Sequence, residues 1–166
     1  DLLEEVIRFG HSDTDERDNE LVEMDTVHQV NTVVANFLNQ EKKKFNVIID
    51  YSESPLIVKT DARKVRLILN NLVKNAILYS EEKAEITIII ERVDQQVRIS
   101  VMDKGIGITE NDIDMIFEPF YRGENTIGNS GTGLGLAISK RYAESLDGYI
   151  NYESQLGKGS KFTLVL

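Results

Sequence analysis

Cysteine is absent from the 166 residues of this chain, so disulfide bonds and thiolate-bound zinc are excluded. Histidine occurs only as His11 and His28, which excludes a histidine-rich metal site. No apolar run approaches the roughly 18 residues of a membrane-spanning helix, and we expect no signal peptide. We therefore expect a fold that is stabilised by neither disulfide bonds nor thiolate-bound zinc.

Positive charge is also scarce, because 19 basic residues face 28 acidic ones and the net charge is −9. Nucleic acids and anionic membranes would be repelled by such a surface, so we expect neither as a partner. An anionic nucleotide is still compatible with this charge, since a divalent cation and a few local donors can screen its phosphates.

The chain has the length of one domain, large enough to bury most of its apolar surface. Residues 1–9 have a helical pattern, and residues 11–20 form a polar, charged linker. Because the helical pattern is under way at Asp1 without an initiating methionine, we expect a fragment of a longer protein. The predicted boundary separates residues 1–20, the end of a preceding helix and its linker, from a domain at 21–166.

Hydrophobic periodicity within 21–166 predicts four helices and six strands. One helix ends near residues 42–44, a second is capped by Asp61 and runs to about 80, and two more span 109–117 and 133–146. Strands are predicted at 46–51, 56–60, 85–92, 96–103, 149–154 and 160–166. Because helices and hairpins do not alternate as single crossovers, the pattern favours an α/β sandwich with a mixed sheet and not a Rossmann fold.

An acidic residue and two glycine clusters are the most informative feature. Asp103 ends an apolar strand and shares its buried face, and Gly105 and Gly107 follow at once. A buried carboxylate needs a donor, either from the protein or from a ligand such as an exocyclic amine. A second cluster at 131–136 opens a helix, where bare backbone N–H groups suit phosphate. Together they predict a purine nucleotide pocket.

Two asparagines share one edge of the long helix. Asn71 and Asn75 are four residues apart, and Leu78 lies three residues further on the same edge. Asparagine is a poor helix former, so the pair suggests amide oxygens directed at a ligand, although a solvated face is the alternative. Uncharged oxygen ligands suit Mg²⁺ that already carries phosphate oxygens.

Four motifs in this order resemble the signature of sensor histidine kinases. Residues 71–80 resemble the N box, 103–107 the first glycine box, 116–122 the F box and 131–136 the second glycine box. Residues 157–162 also fit the family's pattern, and the similarity covers about 21–166. Four ordered motifs make a chance match implausible, although each glycine pair alone is common.

The resemblance implies a Bergerat ATP-binding fold, a mixed and mostly antiparallel sheet packed on three helices with a flexible ATP lid. It implies that Asn75 binds Mg²⁺, that Asn71 helps to hold the metal and phosphates, and that Asp103 binds the adenine amino group. Arg122 would reach the terminal phosphate and act with the two asparagines in catalysis. The other residues implied to contact ATP are Tyr79, Gly105, Gly107, Ile108, Gly131, Thr132, Gly133, Leu134, Gly135 and Ser160.

Two departures from the family pattern and one difference from its ATP-hydrolysing relatives bear on function. Leu78 stands where many members carry lysine, so another cation, for example Lys74 or a lid residue, would supply that phosphate contact. A phosphoacceptor box is missing, and His11 and His28 lack its flanking residues. ATP-hydrolysing relatives such as gyrase, Hsp90 and MutL place a glutamate where this chain has Asn71, and an amide cannot act as a general base.

The resemblance therefore identifies a histidine kinase catalytic domain that positions Mg²⁺–ATP for transfer to a histidine on a separate dimerisation domain. It implies that domain and a response regulator receiver domain as partners, a homodimeric parent, a monomeric fragment and a cytoplasmic location. The alternative is a regulatory or docking module that keeps the fold but is catalytically weak. Leu78 favours that alternative, whereas Asn75, Asp103, Arg122 and the lid glycines weigh against it. Residues 118–132 are expected to be mobile without nucleotide and ordered with it.

Overall fold

The structure is a computed structural model that describes residues 6–7, 10, 19–40, 45–123, 126 and 131–166. Its strands are β1 Val22–Asp25, β2 Asn46–Tyr51, β3 Ile57–Thr60, β4 Glu85–Val93, β5 Gln96–Met102, β6 Tyr149–Gln155 and β7 Gly159–Val165. Its helices are α1 Thr26–Gln40, α2 Ala62–Leu78 and α3 Gly135–Ser145.

Five strands form a mixed sheet in the order β2-β4-β5-β7-β6. Only the β2–β4 pair is parallel, and the other three pairs are antiparallel. The antiparallel β4–β5 and β6–β7 pairs are consecutive in the chain, which confirms the two predicted hairpins. The mixed α/β architecture expected from the sequence is therefore confirmed, and β5, which leads to Asp103, lies at the centre of this sheet.

Helix α2 begins and ends close to the predicted positions. The Asp61 carboxylate accepts hydrogen bonds from the backbone N–H groups of Arg63 and Lys64, as an N-cap should. The helix ends at Leu78, and Tyr79 closes it by donating from its backbone N–H to the Asn75 carbonyl. Its buried stripe repeats at helical spacing and comprises Val65, Ile68, Leu69, Leu72, Val73, Ala76 and Ile77.

The core lies between the helices and one face of the five-stranded sheet. Alternate residues of β4 are fully buried, as the pleat of a strand with one covered face requires, and they are Ile86, Ile88 and Ile90. Helix α2 contacts both α1 and α3, and it also lies against β5. None of the helices in the described ranges is long and apolar enough to cross a membrane.

One predicted helix is not formed. The predicted short helix at 109–117 is wrong, because this segment is a series of turns. Its backbone bonds run from Asp112 to Thr109, from Met115 to Asp112 and from Glu118 to Met115, each three residues back. No described bond in it has the four-residue spacing of an α-helix, so the apparent periodicity reflects successive turns.

A strand not predicted from the sequence, β1, pairs antiparallel with β3 in a separate two-stranded sheet. This strand has four residues, and its pairing partner lies more than 30 positions away in the chain. No local sequence pattern therefore predicts it. The predicted strands at 46–51 and 56–60 are confirmed as elements, but they belong to different sheets.

Some predictions fall wholly or partly outside the described residues. These are most of the helix at 1–9, residues 11–18 of the linker and the helix end at 42–44. Six positions of the predicted lid segment, residues 118–132, also lie outside them, namely 124–125 and 127–130. Within the linker, Asn19 donates from its side chain to the Ser145 carbonyl, and the Glu20 N–H donates to Asp61. The boundary at residue 20 stays a prediction.

Candidate functional site

Two adjoining cavities lie beside the C-terminal end of α2. We call the smaller one, of about 100 Å³, the inner cavity, and the larger one, of about 790 Å³, the outer cleft. Six residues line both cavities, which therefore form one continuous site. The shared residues are Asn75, Tyr79, Ile116, Tyr121, Arg122 and Leu136.

Asp103 lies at the inner end of this site. Its Oδ1 accepts hydrogen bonds from the backbone N–H groups of Gly105, at 2.8 Å, and Ser160, at 3.3 Å. Burial raises the pKa of the Asp103 carboxyl above its ordinary 3.8, and these two bonds oppose the rise. Protein donors thus satisfy one oxygen, while no hydrogen bond joins Oδ2 to any described residue.

Gly105 and Gly107 allow close approach of backbone segments beside the inner cavity, and of the two only Gly107 lines it. A Cβ at Gly105 would lie 2.2 Å from the carbonyl oxygen of Tyr79, at the end of α2. Gly107 has φ +67°, and a Cβ there would lie 2.1 Å from the carbonyl oxygen of Gln155. Both glycines are therefore required by packing, and Gly107 by backbone conformation as well.

Ile108 and Ser160 also line the inner cavity. The Ile108 N–H donates to Ser154 Oγ at 2.9 Å, and Ser154 Oγ shares a hydrogen bond of 2.9 Å with Ser160 Oγ. These bonds join the loop after β5 to the β6–β7 hairpin. The cavity wall is thereby assembled from segments that lie about 50 residues apart in the chain.

Asn75 lies where the inner cavity meets the outer cleft, whereas Asn71 lines the outer cleft alone. The Asn71 amide nitrogen donates to the Gly135 carbonyl at 3.0 Å and to Ser139 Oγ at 3.1 Å. Its amide oxygen makes no hydrogen bond within the described residues, and neither does the Asn75 side chain. The solvated-face alternative therefore does not describe Asn71, which ties α2 to the start of α3.

These asparagines fit a magnesium site of a particular kind. No group of three or more acidic or histidine side chains that could hold a metal occurs in the described part of the chain. A cation here would depend on amide oxygens and on oxygens of a bound ligand. Mg²⁺ accepts that arrangement, because it is usually held by few protein ligands together with substrate phosphates and water.

Cationic side chains line the outer cleft. Lys74 and Arg122 both reach it, and Leu78 lies half-buried beside them. The Arg122 guanidinium donates to the Thr126 carbonyl at 3.2 Å. Burial raises the pKa of the Tyr79 hydroxyl, and the positive charge of Arg122 opposes that rise. Lys74 and Leu78 thus line the same cleft, and the replacement of the missing cation by Lys74 or a lid residue stays a prediction.

The second glycine box closes the far side of the outer cleft. Gly133 has φ +74°, and a Cβ there would lie 2.6 Å from the Phe120 carbonyl carbon, so only glycine fits. Thr132 Oγ1 accepts from the Leu134 N–H at 3.2 Å. Leu134 is fully buried and lines neither cavity, so the structure does not bring this predicted ATP contact to the surface of the site.

Gly131 and Gly135 are less constrained than Gly133. A Cβ at Gly131 would meet no atom within 4 Å, and one at Gly135 would make ordinary contacts of 3.6 Å with Asn71. Helix α3 begins at Gly135, two residues later than predicted.

The two phenylalanines of the F box have separate environments. Phe117 packs against the core, with its ring centroid 5.6 Å from that of Tyr152. Phe120 is 59% exposed and has φ +65°. The sequence favours neither of two roles for these residues, core residue or lid latch, and the structure makes Phe117 a core residue and leaves Phe120 exposed.

Sequence reasoning missed Asp112, a buried residue in the wall of the inner cavity. Its Oδ1 accepts from the Tyr121 hydroxyl at 2.6 Å. Asp112 belongs to a run of acidic and polar residues in which nothing distinguishes it from its exposed neighbours. The cavity wall also contains apolar residues such as Ile106 and Phe162. These lie inside or beside the motifs, so the motif match could have identified them as site residues.

The cleft thus combines a narrow, partly apolar end carrying a hydrogen-bond acceptor with a wide end carrying amide oxygens and cations. A nucleoside polyphosphate has the complementary arrangement, with a planar base bearing donors at one end and phosphates at the other.

Comparison with known proteins agrees with this chemistry. Residues 60–166, more than half of the chain, match the family described as histidine kinase-, DNA gyrase B- and HSP90-like ATPase. The chain is 37% identical over 126 residues to the sensor protein GacS of Pseudomonas syringae. The aligned region covers 72% of the chain and 14% of GacS. It is 33% identical over 178 residues to the sensor-like histidine kinase SenX3 of Mycobacterium tuberculosis, covering the whole chain and 41% of SenX3. The chain therefore spans less than half the length of these relatives.

Solved structures of histidine kinases share the fold. Full-length ShkA in complex with AMPPNP superposes with a TM-score of 0.86 at 25% identity, covering 99% of this chain and 34% of ShkA. Histidine kinase ThkA in complex with the response regulator TrrA superposes with a TM-score of 0.80 at 25% identity, covering 99% of this chain and 46% of that chain.

Proposed function

The chain belongs to the family of histidine kinase-, DNA gyrase B- and HSP90-like ATPases, and from that premise we propose that it binds Mg²⁺–ATP and positions the γ-phosphate for transfer to a histidine. Within the family it is a catalytic ATP-binding domain of the sensor histidine kinase type. One observation carries the proposal: Asp103 lines the inner cavity, Lys74 lines the adjoining outer cleft, and Asn75 and Arg122 line both.

In this proposal the inner cavity holds the adenine, and the unbonded Oδ2 of Asp103 accepts from its exocyclic amine. The outer cleft holds the phosphates beside Arg122 and Lys74. Asn75, together with the amide oxygen of Asn71, would hold Mg²⁺ against phosphate oxygens. The cation would screen phosphate charge during transfer, and the protein contributes alignment and further positive charge.

Transfer to histidine suits this site better than ATP hydrolysis. Hydrolysis needs a base to activate water, and the position that would hold it carries the Asn71 amide, whose nitrogen is bonded to Gly135 and Ser139. We propose a histidine-containing dimerisation domain as the phosphate acceptor and a response regulator receiver domain as the next partner. The complex of ThkA with its response regulator supports the second proposal by analogy. The parent would be a cytoplasmic or membrane-anchored homodimer, and the isolated chain a monomer.

Calorimetric titration of Mg²⁺–ATP into the protein and its Asp103→Asn variant tests the site. A hydrogen bond to a charged group contributes about 1.5 to 3 kcal/mol, so the variant should bind ATP roughly ten- to a hundredfold more weakly. The amide keeps an oxygen for the Gly105 and Ser160 N–H groups, which preserves the loop. Equal affinities would remove Asp103 from the adenine site, and absence of ATP binding to the wild type would refute the proposed function.

A further inference from the structure

Asp112 carries a buried carboxylate to which the proposed function assigns no role. The residue is 4% exposed, and its Oδ1 accepts a short hydrogen bond of 2.6 Å from the Tyr121 hydroxyl. Its backbone N–H donates to both the carbonyl and the hydroxyl of Thr109, which holds the residue in its turn. The residue is therefore held at its backbone and at one side-chain oxygen in the wall of the inner cavity.

The second oxygen of this carboxylate, Oδ2, is buried and lacks a hydrogen-bond partner among the described residues. Leaving an acceptor of a carboxylate unsatisfied in the interior lowers stability, and an apolar residue at this position would avoid that loss. A buried carboxylate with one unpartnered oxygen is costly, which points to a role for its single side-chain bond, the one to Tyr121, beyond the stability of the core.

Tyr121 lies at the junction where the lid segment leaves the folded core. The residue before it, Phe120, has φ +65°, and its N–H donates to the Gly133 carbonyl at 3.1 Å. That bond joins the two ends of the lid segment. The next residue, Arg122, is the cation that the proposed function places at the terminal phosphate, and both Tyr121 and Arg122 line the inner cavity and the outer cleft.

We propose that Asp112 is a positioning residue that holds Tyr121 by its hydroxyl and thereby directs the neighbouring Arg122 into the phosphate end of the cleft. The inference rests on the proposed function. A tyrosine tethered at its far end cannot change rotamer, so the backbone between Tyr121 and Arg122 keeps one orientation. Arg122 then meets the phosphate without first losing conformational freedom, and this preorganisation appears as affinity for the γ-phosphate.

The test compares ATP and ADP binding, since Arg122 is assigned to the phosphate that ADP lacks. Tyr121→Phe removes one oxygen atom and should weaken Mg²⁺–ATP binding about threefold to tenfold, as expected for loss of one hydrogen bond, while ADP binding changes less than about twofold. Asp112→Ala should have the same effect. Asp112→Asn should retain near wild-type ATP affinity, because the amide oxygen still accepts from the Tyr121 hydroxyl. Asp114→Ala, an exposed acidic residue of the same turn segment outside both cavities, is the matched charge control.

A double-mutant cycle with Arg122→Ala decides whether the effect passes through Arg122. In the Arg122→Ala background, Tyr121→Phe should weaken ATP binding no further, because the residue it positions is gone. Additive losses, equal losses for ATP and ADP, or a lowered melting temperature with an unchanged ATP-to-ADP ratio would each overturn the proposal. Those results leave the nucleotide site intact, whereas absence of ATP binding to the wild type would overturn both this proposal and the proposed function.

Discussion

At the scale of single residues, Asp103 illustrates a conflict between folding and binding. Burial raises the pKa of its carboxyl, which means that the folded protein disfavours the charged form that is present at neutral pH. The charge therefore lowers the stability of the nucleotide-free protein at pH 7. The same charge makes the carboxylate a stronger acceptor for an adenine amine.

Asp103→Asn should consequently raise the free energy of unfolding of the nucleotide-free protein at pH 7, although it weakens ATP binding. The amide is neutral and keeps an oxygen for Gly105 and Ser160. The raised pKa also sets the pH dependence. The advantage of the variant should shrink as the pH falls through the raised pKa and vanish below 3.8, where the wild-type carboxyl is protonated in both the folded and the unfolded state. Urea titrations of both proteins at several pH values measure this, and a variant less stable than the wild type at pH 7 would contradict it.

Asp61 shows the opposite shift. Burial alone would raise the pKa of its carboxyl, but the hydrogen bond from the Arg63 guanidinium, followed by bonds from the backbone N–H groups of Glu20, Arg63 and Lys64, lowers it to about 2. A folded-state pKa below the unfolded value of 3.8 adds stability above pH 3.8, and this stability is lost as the pH falls towards 2.

We expect Asp61→Asn to cost about 2 kcal/mol of unfolding free energy at pH 7, and the difference from wild type to vanish between pH 4 and pH 2. Asparagine is an equally good N-cap, so the helix start is preserved and the comparison isolates the charge. Denaturant titration across this pH range provides the measurement. Asp50→Asn, an exposed carboxylate on β2, serves as the control. A difference that persists at pH 2 would assign the loss to packing.

At the scale of elements, the site depends on how closely the loop after β5 approaches the end of α2. The Ile106 N–H donates to the Tyr79 carbonyl at 3.1 Å, and the Cβ of any residue at position 105 would lie 2.2 Å from that oxygen. The loop and the helix end therefore form one joint, which holds Asp103 and Asn75 in the same cavity wall.

Gly105→Ala should separate this joint. Overpacking of this kind costs about 1 to 3 kcal/mol, and we expect a stability loss of that size together with loss of measurable ATP binding. Gly131→Ala is the matched control, because an added methyl group there would meet no atom within 4 Å and the stability should be unchanged. Chemical denaturation of both variants measures the stability, and calorimetry measures the ATP binding. Equal stability of the two variants would show that the loop can move away from the helix at little cost.

At the scale of the whole molecule, the chain should hold ATP without being able to phosphorylate itself. His28 is exposed in the first turn of α1, outside both cavities, and His11 lies outside the described residues. Neither histidine has the flanking residues of a phosphoacceptor site.

Incubation with γ-labelled ATP should therefore leave the isolated chain unlabelled, and addition of a dimerisation domain from the same parent should produce acid-labile label on that domain. Acid hydrolysis after gel separation identifies the phosphohistidine. A variant with His28→Gln should behave identically, since the residue has no part in transfer. Acid-labile label on the chain by itself would refute the assignment of the nucleophile to a separate domain.

The sequence by itself determined the local features of this protein. Period-3.6 and period-2 patterns, a capping aspartate at Asp61 and four ordered motifs were enough to predict α2, β4, β5 and the glycines of the site. Each of these depends on neighbours within a few positions, where side-chain spacing and backbone conformation are directly readable.

Only the tertiary structure decided which distant groups meet. The pairing of β1 with β3, the Ser160 N–H that donates to Asp103 across 57 positions, and the bond from Asn71 to Gly135 leave no local pattern. Asp112 is the clearest case, because it lies among exposed polar neighbours such as Asp114 and is buried only because the turns of this segment place it under Tyr121. The physical reason is that burial and long-range hydrogen bonding depend on how elements pack, which residue periodicity does not encode.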